Sequence, residues 1–167
     1  MDQDIDGGLL DVLGAVTERL ATASSDAVTV RALSPDGTRF VPLAVHHPDP
    51  LVRDEMTSTM AEIPQPGDAG LWDPVLRERR PFEYRHAPDR MPAEASPEQV
   101  RFLTRHPIIG MIGVPVLRDG VLLGGASLVR YSGPDDFTDE QRTLLGDFAQ
   151  RVGLLLGWRR ELAALAG

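Results

Sequence analysis

The side chains able to do chemistry in this chain are few, and one class is missing. There is no cysteine, which removes disulfides, thiolate metal sites and cysteine nucleophiles together. Four histidines remain. His46 and His47 end an apolar run just before Asp49-Pro50 and are expected in solvent. His86 opens a proline-containing loop. His106 lies in Thr104-Arg105-His106-Pro107, directly ahead of a long apolar segment. An acidic run, Asp135, Asp136, Asp139 and Glu140, has the oxygen chemistry of a divalent-cation site. It is explained as well by a helix start, because Thr138 can cap, Gln141 can close the capping box, and first-turn acids suit the helix dipole. Gly110, Gly113, Gly124 and Gly125 are not a phosphate loop, which needs its glycines between a strand and a helix. Glycine inside a strand marks a bulge or the close approach of another group. A ligand ring or a tightly packed helix would each satisfy that. No G-x-S-x-G or H-E-x-x-H motif occurs, so no catalytic role is expected.

The elements that must position these residues follow from periodicity. Leu9, Leu13, Val16 and Leu20 share one helical face, widened by Leu10 and Val12. Val28, Val30 and Ala32 alternate with Thr29 and Arg31, the pattern of a half-buried strand. Pro35-Asp36-Gly37 turns the chain into a second strand, Arg39 to His46. Asp49-Pro50 opens a helix carrying Val52, Met56, Met60 and Ile63, which Pro64 and Pro66 end. A short helix bears Leu71, Trp72, Val75 and Leu76, and Phe82-Glu83-Tyr84 is a short strand. Ser96-Pro97-Glu98-Gln99 is a capping box for a helix with Val100, Phe102 and Leu103. The last third reads as a hairpin and a long helix. Strand Ile108 to Leu117 turns at Asp119-Gly120 into Val121 to Arg130. Phe137-Thr138-Asp139-Glu140-Gln141 then starts a helix with Leu144, Leu145, Phe148, Val152, Leu155 and Leu156.

Composition bounds the class. A chain of 167 residues is long enough for one domain with a sizeable core. A net charge of −8 and a pI near 4.9 exclude a nucleic-acid footprint, which needs a basic face. No apolar run is long enough for a membrane span. Asp2, Asp4 and Asp6 stand where a signal peptide needs basic residues. A cytoplasmic location is the expectation.

Hairpins interleaved with helices give an α+β fold. The element order, with Gly113-Val114-Pro115-Val116 in the central strand and Phe137-Thr138-Asp139-Glu140-Gln141 before the last helix, resembles the GAF domain family of small-molecule sensory modules. The resemblance covers residues 9 to 162 or so of a single domain, 1–167. It implies an antiparallel sheet of five or six strands. The N- and C-terminal helices would pack on one face, with shorter helices and loops on the other. It also implies a small-molecule pocket over the sheet, under the segment Leu71 to Arg105. Trp72, Phe82, Tyr84, Phe102, His106, Ile109 and Met111 are its candidate lining, and the ligand is unidentified.

The resemblance also narrows the chemistry. Without cysteine, the sulfoxide-reductase and covalently bilin-bound subclasses are excluded. Members that bind cyclic nucleotides carry Asn-Lys and Asp-Glu pairs where this chain has Arg130-Tyr131 and Gln141-Arg142. In haem-holding members the proximal histidine lies a few residues before the central strand, where His106 stands. A haem sensor is therefore one alternative to a metal-free module, and a ligand-free dimerisation module is another. The terminal helices carry apolar stripes that could pair with a second subunit, so a homodimer is expected.

Overall fold

A strand that alternates valine with threonine and arginine is normally wet on its polar side, so the fold turns on what covers each face. The computed structural model describes residues 2–61, 69–87, 91–134 and 136–166, with side chains from residue 7 onward. It opens with α1 (Asp2–Ser24), β1 (Ala27–Leu33), β2 (Phe40–His46) and α2 (Pro50–Ala61). A 3-10 turn (Gly70–Trp72) leads into α3 (Asp73–Glu78), β3 (Phe82–Arg85) and α4 (Pro97–Arg105). The hairpin β4 (Gly110–Arg118) and β5 (Val121–Arg130) and the long α5 (Asp139–Ala166) complete the chain. The five strands form one antiparallel sheet in the order β2-β1-β5-β4-β3.

Local signals explain most boundaries. Asp119 and Gly120 both have positive φ, 52° and 76°, as a two-residue hairpin turn requires. Reciprocal capping boxes start two helices. Gln99 N donates to Ser96 Oγ at 3.2 Å while Ser96 N donates to Gln99 Oε1 at 3.0 Å. Gln141 N donates to Thr138 Oγ1 at 3.1 Å and Thr138 N to Gln141 Oε1 at 2.9 Å. The acids near this second start are engaged by arginines, Asp136 by Arg85 and Asp139 by Arg142. Asp49 Oδ1 caps α2 by accepting from Leu51 N at 2.9 Å. Ile63, Pro64 and Pro66, expected at the end of that helix, lie outside the described residues, as does Asp135.

The alternation of β1 and β5 sorts side chains onto two cores. Val28, Val30, Ala126 and Leu128 lie under α1 and α5, against Leu13, Leu20, Leu145, Phe148, Val152 and Leu156. The opposite face is covered by the short helices, where Met56, Leu71, Tyr84, Leu103 and Ile108 meet Met111 and Val129. Gly153 lets α5 sit directly on β4, since a Cβ there would lie 2.5 Å from the Leu117 carbonyl oxygen. Two expectations need correcting. β1 is buried on both faces, with Thr29 1% and Arg31 8% exposed, because it lies between β2 and β5 with helices above and below. Leu13 and Leu20 are fully used by the domain's own core, so they do not belong to any surface a partner could meet.

A buried ion pair ties the layers together. Arg130, at the end of β5, donates from Nε to Asp26 Oδ1 at 2.9 Å and from Nη2 to Asp26 Oδ2 at 3.0 Å. Its Nη1 donates to the carbonyls of Pro134 and Asp136 at 2.9 and 2.7 Å, and its guanidinium lies 4.2 Å from the Phe137 ring centroid. One side chain thereby joins the α1–β1 connection, the last strand and the lead into α5. Removing the carboxylate while leaving the guanidinium buried costs about 3–5 kcal/mol in comparable pairs. Asp26→Ala is expected to lose that much in urea denaturation, and a loss under about 1 kcal/mol would show that the pair does not anchor the fold.

Candidate functional site

On the face of the sheet away from α1 and α5, the covering helices do not close completely. They leave a cavity of about 80 Å³ between the sheet, α2, the 3-10 turn and α4. In this measure a water needs roughly 10–15 Å³, so the space matches some five to eight waters. That is the scale of a small metabolite. Met56 and Met60 come from α2, Leu71 and Trp72 from the 3-10 turn, Phe102 and Leu103 from α4, and Ile108, Met111 and Val129 from the sheet side. Unbranched methionines give such a wall some freedom to adapt. A second hollow, lined by Asp54, Glu55, Ser58, Arg101 and Arg105 among others, is an open groove of charged side chains.

The apolar cavity has a polar floor. Thr29 and Arg31 of β1 and Ser127 of β5 all line it, and Thr29 stands opposite Ser127 in the strand register. Their hydroxyl oxygens are 2.5 Å apart. Arg31 Nη1 donates to Thr29 Oγ1 at 3.0 Å, and the guanidinium stacks 4.3 Å from the centroid of Trp72. Arg31 forms no ion pair among the described residues, and its Nε is buried without an acceptor. Burial alone pushes its pKa down from 12.5 to about 9, which leaves it charged at neutral pH.

Trp72 is held from three sides. Phe40 and Phe82 meet it edge-on at 5.6 and 5.1 Å between centroids. Gly125 leaves room for its ring, since a Cβ there would lie 2.5 Å from a ring carbon. The turn that carries it is pinned to α4, because Gln99 Oε1 also accepts from Leu71 N at 3.0 Å and Gln99 Nε2 donates to Ala69 O at 3.3 Å. Two strand glycines thus admit aromatic rings on the cavity side of the sheet: Trp72 over Gly125 and Phe82 over Gly113.

Of the seven expected lining residues, the structure brings Trp72, Phe102 and Met111 to the cavity wall. Phe82 backs Trp72 instead of reaching the space. Tyr84 is buried in the same apolar cluster as Met111, beyond the wall. Ile109 is half-buried and serves through its backbone, donating to Arg130 O and accepting from His86 N at 2.7 and 2.9 Å. His106 points to α2, where its Nε2 bonds the Glu55 carboxylate, which also accepts from Arg105. Those two bonds, Arg105 first, hold the Glu55 carboxyl below the usual carboxylate range. His46 and His47 are half-buried, and His47 packs edge-on to Tyr131 at 4.7 Å. Haem does not fit this arrangement: the histidine is committed elsewhere and the cavity is of metabolite size. Sequence reasoning missed Thr29, Arg31 and Ser127. The one available signal was an arginine in the middle of a valine-rich strand.

The family described as "GAF domain" matches residues 3–156. Similar solved structures include the GAF domain of a phosphoenolpyruvate-protein phosphotransferase from Coxiella burnetii, 19% identical, with a TM-score of 0.70 over 93% of this chain and 86% of that one. The corresponding domain from Acinetobacter is 14% identical with a TM-score of 0.67, covering 98% of each chain. A phycoerythrobilin-bound GAF domain from a cyanobacterial phytochrome is 12% identical with a TM-score of 0.65, again over 98% of each chain. At such identities the likeness is one of fold. No curated protein matches the sequence.

If Gly125 exists to seat Trp72, a single methyl there should disturb the cavity wall. Gly125→Ala is expected to cost about 1–3 kcal/mol through overpacking. It should also shift the buried, blue-emitting component of tryptophan fluorescence to the red, as Trp72 is 3% exposed and Trp158 already 51% exposed. An unchanged spectrum and stability would mean that the ring is not confined by this glycine.

Proposed function

We propose that this chain, which belongs to the GAF domain family, is a single sensory domain that binds a small molecule over its sheet and relays occupancy to its terminal helices at a homodimer interface. One observation carries the reading: β5 serves both faces at once. Ser127 and Val129 line the cavity, Ala126 and Leu128 lie under α1 and α5, and Arg130 holds the lead into α5. A ligand that moves β5 by a fraction of an ångström therefore acts on the packing of α5, and its differential affinity for two packings sets the response. The role is regulatory and not catalytic.

The dimer part of the reading rests on what the core leaves uncovered. Leu10 and Val12 of α1 and Leu154, Trp158, Leu162 and Leu165 of α5 are all exposed large apolar side chains. Apolar surface on this scale is what a second copy would cover, and a symmetric pair closes it. Among the described residues no helix is long and apolar enough to cross a membrane, in keeping with a cytoplasmic site of action.

Native mass spectrometry of the gently purified protein tests both parts. The expected result is a dimer of the 18.2 kDa chain with a small-molecule adduct released on denaturation. A bare monomer would refute the reading. Trp158→Glu should give a folded monomer, and Leu13→Glu should unfold the domain, as judged by sedimentation and circular dichroism. The reverse pattern would put the interface on the wrong stripe.

A further inference from the structure

The cavity floor holds more donors than the protein uses. Arg31 is more than nine-tenths buried, and among the described residues it donates one hydrogen bond, to Thr29. Its Nε–H faces no acceptor. Thr29 and Ser127 have two hydroxyl protons between them, and their mutual bond uses one. The other has no acceptor among the described residues. A cation and a spare hydroxyl proton, both buried on the same floor, call for an acceptor-rich negative group. A guanidinium on the floor of the cavity matches a carboxylate in plane. One cation on the floor, with the Glu98 carboxylate lining the same cavity, suits a monoanion better than a phosphate dianion, which that carboxylate would repel.

At the α4 side of the same cavity the need is reversed. Glu98 lines it, and its Oε2 is buried without a donor. Its other oxygen lies 3.8 Å from Arg101 Nη2. Arg31 and Glu98 both line this cavity without pairing to each other, although Glu98 also borders the charged groove beside Arg101. Resting on the sensory reading above, we propose that the ligand is a small monocarboxylate with a compact apolar body and a hydrogen-bond donor, in the manner of an apolar amino acid. The carboxylate lies on Arg31 with the spare hydroxyl of Thr29 or Ser127, the donor on Glu98, and the apolar body among Met56, Phe102 and Ile108.

The test is a thermal-shift and calorimetric panel on the full chain with three matched sets. These are the aliphatic and aromatic L-amino acids, their des-amino acids, and their neutral-ended amides, with inorganic phosphate as a further probe. At least one amino acid should bind, its des-amino acid more weakly, and its amide and phosphate not at all. Arg31→Met should weaken that binding at least about 10-fold, the loss expected of a charged hydrogen bond. It should also leave the free protein's melting temperature at or above the original, since it replaces an unneutralised buried charge with an apolar side chain. Glu98→Gln, at a half-buried position, should fold and erase the preference for amino acids over des-amino acids. Amides or phosphate binding as well as the carboxylates, or binding that survives Arg31→Met, would overturn the carboxylate assignment while leaving the cavity a ligand site. A lower melting temperature in free Arg31→Met would make Arg31 a structural stack on Trp72 and overturn it too. If nothing in any set binds, the monocarboxylate assignment falls, while the sensory reading is decided separately by the adduct in the native mass spectrum.

Discussion

Two arginines are buried against the same sheet, and the cost of desolvating their charge is the constraint on which the rest of the molecule depends. Arg130 meets that cost within the chain, through both oxygens of Asp26, two backbone carbonyls and the face of Phe137. Arg31 does not. It has one hydroxyl and one indole face. A buried charge satisfied by its own chain specifies a structure, because few arrangements bring those groups together. One left unsatisfied costs stability and is the kind of group that a ligand can complete.

The satisfied arginine also ties the two faces of the sheet to one frame. β5 is buried along nearly its whole length, so its alternate residues contribute to two cores that share one backbone. On one side they meet the cavity and on the other the long helices. Arg130 closes the circuit by binding the segment that leads into α5. Small residues keep the layers close: Gly153 seats α5 on β4, and Gly125 seats Trp72 on β5. Close-packed layers shift between discrete arrangements more readily than they deform.

Much of the fold was legible in the sequence, because its signals are local. Asp119-Gly120 dictates a hairpin turn by its backbone conformation, Ser96–Gln99 and Thr138–Gln141 announce helix starts through reciprocal bonds, and the spacing of Leu145, Phe148 and Val152 gives the buried face of α5. The site was less legible because it depends on which faces are covered. Thr29 and Arg31 alternate with valines just as solvent-facing residues do, and only the helices lying over them turn that polar side into a cavity floor. Aromatic residues near the expected pocket drew attention for their size, yet Phe82 and Tyr84 support the wall and do not form it. His106 stands where the family resemblance suggested a ligand, but Glu55, fifty-one positions away in sequence, takes its imidazole. Pairings at that range leave no periodic trace.

The most direct test of the account is an experimental electron-density map of the cavity in protein purified without added ligand and then soaked with an apolar amino acid that binds. The account predicts non-protein density in contact with the Arg31 guanidinium, bounded by Met56, Phe102 and Ile108, with Trp72 in place over Gly125. It would be contradicted by a closed chamber in which those side chains meet each other and Arg31 has turned to pair with one of the chain's own carboxylates.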